Sequence, residues 1–578
     1  MKIDKIIFGA AMLSISISTS AQVTKEVEVT QAFIPTVKEA TKPLLMPDMG
    51  DDAYISPDID YSITPISIHT EIDTTPYEAV ELNYYEYNLA NNYYAKVGVG
   101  YPFRSVADLY ASVNDASRGY AVGFLNYSGD YADIESDFGD MNDAFNSLLR
   151  VGAAAGLYFD RRSLDAMITY DYDVWSRYAT DTYNDSQPQY QRGEAQIRFG
   201  DNFTNWEGWN YMIGGGVERF MSSSNFDNLT VESDFAVGHT VAGGEFKFSF
   251  GYGYRSGEGD YLNTTFGGDL LYGFRGERWR AYVGVGLYQD RVSFSTLGAN
   301  VATSAVDTTL MGGADFGGED SIENKSFYAI PRLDVEYNTS VANLAIFASV
   351  EGSVRQNDFS SLSEQNPYLV AGLFGAKSSV DYDMSIGVRG IAGQGKLGYS
   401  LSGGYKITKN NLFWAFTESA VSLDYVENGF IANLATLNNL YGALSLDYHP
   451  LSNLKFEAEV VVNNYSYSSD QLWEATLPTV SFNLRGEYSV GKFDLALKGE
   501  LLSSRKNSVI STDLSGYSAY SVVEIPSAFD LGFSADYRLN GGLVLFCELS
   551  NLLNQDQYRW VRYREYGIGA MVGAKIVF

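Results

Sequence analysis

Cysteine is nearly missing from this 578-residue chain, and its scarcity closes off several chemistries at once. Cys547 stands alone, so there is no disulfide framework and no thiolate metal site; no Cys follows the N-terminal apolar segment, which excludes a lipid anchor there. Histidine is almost as rare. His69 lies among prolines, His239 shares the parity of Phe235 and Val237, and His449 sits in a short turn-like stretch. None stands in a pattern that hydrolysis by a base and nucleophile requires, and the chain is not read as an enzyme. Basic residues are outnumbered: 40 Lys and Arg against 71 Asp and Glu give a formal net charge of −31. Binding to a nucleic-acid backbone needs the opposite balance. After the first 22 residues no apolar run approaches the roughly 18 residues of a membrane-crossing helix.

What the chain has in abundance is aromatics, 44 Tyr, 33 Phe and 7 Trp, set into a period of two. From Glu245 to Arg255, Phe246, Phe248, Phe250, Tyr252 and Tyr254 alternate with Glu245, Lys247, Ser249, Gly251, Gly253 and Arg255. Arg278 to Asp290, Ala329 to Tyr337, Leu344 to Arg355 and Lys492 to Leu501 repeat the pattern. Alternation of this kind marks strands with unlike surroundings on their two faces. A soluble sandwich also alternates, but the aromatics here gather near strand ends, as interfacial girdles of a membrane barrel do. The last fourteen residues, Glu565 to Phe578, carry such a stripe to a final aromatic. The fold expected is all-β, a transmembrane antiparallel barrel with an even number of strands, about 22 within roughly 18 to 24.

Three regions follow. Residues 1–21 have Lys2 and Lys5 before an apolar run and Thr19-Ser20-Ala21 at its end, the layout of an export signal. Residues 22–91 hold six of the thirteen prolines and little alternation, and read as an extended periplasmic or lumenal segment. Residues 92–578 form the barrel, which with an export signal places the chain in the outer membrane of a Gram-negative cell. Counting candidates gives about 23 strands, one too many for an even barrel, with Pro367 to Arg389 the weakest region. Short connections at residues 449–453, 489–491 and 540–542 are expected in the periplasm; the long ones, 297–325, 360–368, 469–478 and 508–520, outside.

Parity aims Asp269, Arg280, Arg332, Asp334, Glu336, Glu351, Arg355, Arg389, Lys396, Lys455, Glu457, Glu459, Arg485 and Lys498 at the lumen. Mutual pairing along a water-lined wall is the plain reading, with a role in anchoring whatever fills the lumen as the functional one. Asp133, Glu135, Asp137 and Asp140 lie in an acidic connection that is either a solvated loop or a calcium or magnesium site, in a spacing that fits no EF-hand. No cofactor is called for.

Asn551-Leu552, Tyr558 and Phe578 resemble the C-terminal end of TonB-dependent receptor barrels, over roughly the last thirty residues. Gly573, Ile576 and Phe578 resemble the terminal signal read by the barrel-assembly machinery, with Met571 where that signal has a polar residue. Lys25, Glu26, Val27, Glu28, Val29 and Thr30 resemble a TonB box, the segment that joins an energy-transducing partner by strand addition. The resemblance implies transport of a solute that the sequence does not name. It departs from the family at the plug: a folded plug needs on the order of 100 residues, and the segment ahead of the barrel is shorter. A lumen as wide as about 22 strands make it needs blocking, by that segment, by inward loops or by a partner. The partners expected are outer-membrane lipid, the assembly machinery, and a TonB-type protein or a periplasmic or lipoprotein partner. The alternative function is a non-transport envelope component that anchors partners or supports outer-membrane assembly.

Overall fold

The computed structural model describes residues 92–577 except 116, 136–140, 180–186, 207, 224–226, 258–260, 296–320, 340–342, 370–376, 420–428, 468–473, 513–517 and 540–541. The export signal, the 22–91 segment with Lys25 to Thr30, and Phe578 therefore lie outside the described residues. Within them the chain forms a closed antiparallel barrel of 22 strands, from Tyr93–Tyr101 to Gly569–Val577. The first and last strands close it, with Tyr94 opposite Val577 and Tyr101 opposite Ala570.

Alternation along each strand sorts residues between the two sides of the wall. On Tyr93–Tyr101, Val97 and Val99 are more than half exposed to the outside while Lys96, one residue before Val97, is buried inward. Phe248 is exposed where Ser249 and Arg255 are buried, and Val283, Val285 and Leu287 face out while Tyr288 and Asp290 face in. The aromatic girdle is present. Phe159, Trp209, Phe274, Trp279, Tyr337, Tyr448, Tyr488 and Phe493 are exposed beside the short turns that join the strands at one end of the barrel. The connections longer than nine residues all leave the opposite end, so 449–453 and 489–491 stand at one rim, with the nine-residue connection 201–209, and 360–368, 469–478 and 508–520 at the other.

The seam has its own packing. Gly98 and Gly573 face each other across it, and a Cβ on either would stand 2.7 and 2.6 Å from the Phe546 ring. The missing side chains leave room for that ring, whose faces meet Lys96 Nζ at 4.6 Å and Lys575 Nζ at 5.2 Å. These two lysines are themselves opposed in register, and Glu548 and Asp536 neutralise them at 2.9 and 2.5 Å.

Four sequence expectations need correction. Residues 379–389 are not surplus, since Ser379–Ala392 is a proper wall strand, and the connection expected at 508–520 is instead a hairpin, Arg505–Thr512 and Ser518–Ile525, that leaves the wall altogether. The wall closes beneath it because Phe493–Leu502 pairs directly with Ala528–Arg538. The connection around 360–368 is not wholly irregular: Phe359–Gln365 is a helix, α1, whose N-cap Asp358 accepts from the Ser361 amide. Tyr566 is not part of the closing strand, which begins at Gly569; its hydroxyl instead donates to the Ala132 carbonyl at 2.8 Å. Lys396 lies in the turn before Leu397–Ser419, where it bonds the Pro450 carbonyl, because the chain has left the wall by that point.

Candidate functional site

The inward charges lie mostly in short-range pairs. Glu336 takes both Arg389 and Arg280, the latter at 3.6 Å, and Arg332 bonds Asp269 at 2.8 Å and the Tyr288 hydroxyl at 3.1 Å. Arg355 and Lys406 share Asp381 at 3.3 and 3.6 Å; Arg485 pairs with Glu487 two residues on. Asp334 lies in the field of Arg280 and Arg389, and Glu351 in that of Arg332 and Lys406. Charges so withdrawn from bulk water hold their place only when matched. The result is a polar wall, mostly paired but with Glu351 facing Asp383 as well as Arg332 and Lys406, rather than a single cluster aimed at one ligand.

The rim with the long connections carries a second sheet besides the wall. Strands Leu397–Ser419 and Gly429–Leu451 are 23 residues each, roughly 75 Å if extended. Below Lys409 they behave as wall, with Leu401 and Tyr405 exposed outward. At Asn410, which adopts φ +53°, the register slips between Thr408 and Asn411, and Ser379–Ala392 has already ended its pairing at Val380 opposite Lys409. Beyond that break the arm pairs on its freed edge with Arg505–Thr512, in parallel, Ala415 opposite Ser508. With Ser518–Ile525 this makes a four-stranded sheet apart from the wall.

Its inner strands are buried on both faces at Phe413 to Thr417, Gly429 to Ile431 and Asn507 to Ile510, while Ser518–Ile525 is a more exposed edge; the sequence of the arm changes accordingly from alternating to continuously apolar, Leu412-Phe-Trp-Ala-Phe416. Trp414, Phe416, Phe430 and Val509 pack to one side, with α1 residues Phe359 and Leu362, the connection residues Tyr178, Tyr368, Trp560 and Tyr563, and Trp175 at the end of a wall strand. Phe413, Ala415, Ile431 and Ile510 pack to the other against Tyr465, Tyr467 and Leu477. Tyr368 and Tyr563 stack with centroids 3.7 Å apart, and Tyr178 meets Tyr563 edge-on at 5.1 Å. Tyr178 donates to the Arg564 carbonyl and Tyr190 to that of Pro367, at 2.9 and 2.8 Å. Burial pushes the Tyr368 phenol up to about 12, so it stays neutral. We call this assembly the lid.

Helix α1 fastens the lid to the wall. Arg192 donates to Ser360 Oγ at 3.0 Å and pairs with Glu364 on the helix and, at 3.5 Å, with Glu218 on the neighbouring strand. Arg255 pairs with Asp358 at 3.2 Å and with Glu232 on its own neighbouring strand. The cavity left beside the helix, lined by Asp171, Asp173, Tyr190, Arg192, Phe220 and Glu364, is about 20 Å³, room for little more than one water. Sequence reasoning found the inward parity of Arg255 but not the lid. The signal available was the loss of alternation at Leu412 to Phe416.

Asp133 and Glu135 lie on a small hairpin, Asp133–Glu135 with Met141–Asp143, and Glu135 is 4.0 Å from Arg564; Asp137 and Asp140 are outside the described residues. Among the described residues no three His, Cys, Asp or Glu are grouped to hold a metal ion. Gly573 and Ile576 both sit on the closing strand, with Ile576 exposed outward.

No protein-family model matches the chain, and no curated protein matches it either. Solved structures do. The barrel is similar to "Copper transporter OprC" at 12% identity and TM-score 0.61, over 84% of this chain and 80% of that one. It is similar to the FrpB iron transporter from Neisseria meningitidis (F3-3 variant) at 10% and 0.61, over 84% and 81%. A third likeness is to the outer-membrane ferripyoverdine receptor of Pseudomonas aeruginosa, at 10% and 0.58, over 84% and 72%. At such identities the likeness establishes a shared architecture, the 22-stranded transmembrane barrel.

Proposed function

We propose that the chain is an outer-membrane transporter of TonB-dependent-receptor type that rests closed by its own outer loops. The observation that carries this reading is a polar, charge-lined lumen running beneath a lid built of loops. A wall of matched charges suits water inside the barrel, and a lid made from connections separable from the wall suits a passage that opens. The transporters whose architecture the barrel shares point the same way. On this reading residues 1–21 direct export, residues 22–91 extend on the periplasmic side, and Lys25 to Thr30 add a strand to a TonB-type partner. The long connections then face outward from the cell, and Gly573, Ile576 and Phe578 serve assembly.

A second reading, an envelope component that anchors partners, draws on the density of the aromatic lid, which resembles a domain core more than a loose gate. Photo-crosslinkers at residues 25–30, followed by isolation from mildly solubilised outer membranes, separate the two. Capture of a TonB-type inner-membrane protein supports transport. Capture of a lipoprotein alone, with no energised partner, sinks it in favour of the anchor.

A further inference from the structure

The lid is attached to the wall in two unlike ways. The lid sheet is bound through apolar surface buried on both faces, with Phe416 and Phe430 wholly enclosed. Helix α1 packs Phe359 on Tyr190 and Phe220 of the wall and, unlike the sheet, is also fastened there by buried arginines. Arg192 and Arg255, both on wall strands and both buried, each divide their charge between one carboxylate of the helix segment and one of the wall. For Arg192 the helix partner is Glu364 and the wall partner Glu218; for Arg255 they are Asp358 and Glu232. Ser360 sits within the Arg192 set, its hydroxyl accepting from Arg192 and donating to Glu218 Oε1 at 2.8 Å.

This division has an energetic consequence. Breaking a buried ion pair is costly chiefly because one charge is left uncompensated in a poor dielectric. If α1 withdraws, Asp358 and Glu364 enter water while Arg192 keeps Glu218 and Arg255 keeps Glu232, so neither arginine is stranded. The cavity left beside the seated helix is small, so α1 packs closely against this part of the wall.

Resting on the transport reading, we propose that α1 is the latch of the lid: Asp358 and Glu364 hold it shut, and Glu218 and Glu232 receive the arginines when it opens. The two pairs of acids therefore act in opposite senses. Opening leads with α1 while the lid sheet stays folded, because α1 is the lid element whose buried wall charges have substitute partners.

The test compares two isosteric double variants by single-channel recording in planar bilayers, with folding checked by heat-modifiable migration. Asp358→Asn with Glu364→Gln keeps the helix N-cap, since Asn caps as well as Asp, and weakens the closed side. Opening events should become about tenfold more frequent, the scale of a charge-assisted hydrogen bond. Glu218→Gln with Glu232→Gln keeps the acceptor for Ser360 but leaves the open-state arginines poorly matched, and openings should become rarer by a similar factor. Shifts of the same sign in both variants, or no shift in either, overturn the latch. The recording needs no solute and no TonB-type partner, so failure of the transport reading leaves its own distinct trace: opposed shifts in the bilayer with no energised partner captured in cells.

Discussion

Phe430→Ala is the sharpest perturbation of the lid. The ring is fully buried and joins three segments, lying 5.2 Å from Phe416 on the adjacent lid strand, 5.1 Å from Trp560 and 6.0 Å from Tyr563 on the last long connection. Truncating a buried Phe costs about 3–5 kcal/mol, through lost transfer free energy and the cavity left behind. None of these contacts is made by the wall, so the loss should fall on closure rather than on barrel stability. At about 1.4 kcal/mol per factor of ten, the open population rises by roughly two to three and a half orders of magnitude. Planar-bilayer conductance reads that rise directly, and heat-modifiable migration reports the barrel. Phe248→Ala, on the outward face of the wall, is the control and should leave conductance alone. A Phe430→Ala protein that is folded and as closed as the parent would refute the view that this core shuts the mouth.

Other expectations follow from the same geometry. With Cys547 replaced, an impermeant maleimide on intact cells should label a Cys at Ser521, exposed on the lid hairpin, and not one at Ser452 in a short turn; the reverse would invert the orientation. Phe546→Ala should lower the urea midpoint of unfolding, because the ring fills the space over Gly98 and Gly573 and separates Lys96 from Lys575; Phe→Ala losses of about 3–5 kcal/mol are large enough to see, and an unchanged midpoint would show that the seam does not depend on it. Alkaline pH should loosen the lid. An exposed phenol ionises near ~10, whereas the Tyr368 phenol in the closed lid is held up to about 12. Closure is therefore undiminished below pH ~10 and weakens as pH rises toward ~12, by up to about 1.4 kcal/mol per unit; conductance that stays flat across that range in the wild type would contradict the burial argument.

The barrel was legible because a strand between lipid and water must alternate, and pairs such as Phe248 and Ser249 write that requirement into the chain. The inward charges were legible for the same reason, Arg280, Arg332 and Arg389 falling on the polar parity of their strands. The lid was not. Residues 508–520 read as one more long connection, because the inner strands of the lid sheet are buried on both faces and have no alternation to reveal them, and parallel pairing across the mouth joins residues 93 positions apart, such as Ala415 and Ser508. Helix α1 is seven residues long and its seat depends on Arg192 and Arg255 from distant strands, so no local pattern announces it. Tyr566 was placed on the closing strand by parity alone, where a tertiary hydrogen bond to Ala132 decides its position.

The central claim is that the barrel is shut at its outer rim by its own loops. Replacing residues 507–523 with a two-glycine turn removes the lid hairpin while leaving Phe493–Leu502 paired to Ala528–Arg538 in the wall. Single-channel recording of this protein should show a large, steady conductance where the full chain shows almost none. A folded, hairpin-deleted barrel that remains as tightly closed as the full chain would contradict the account.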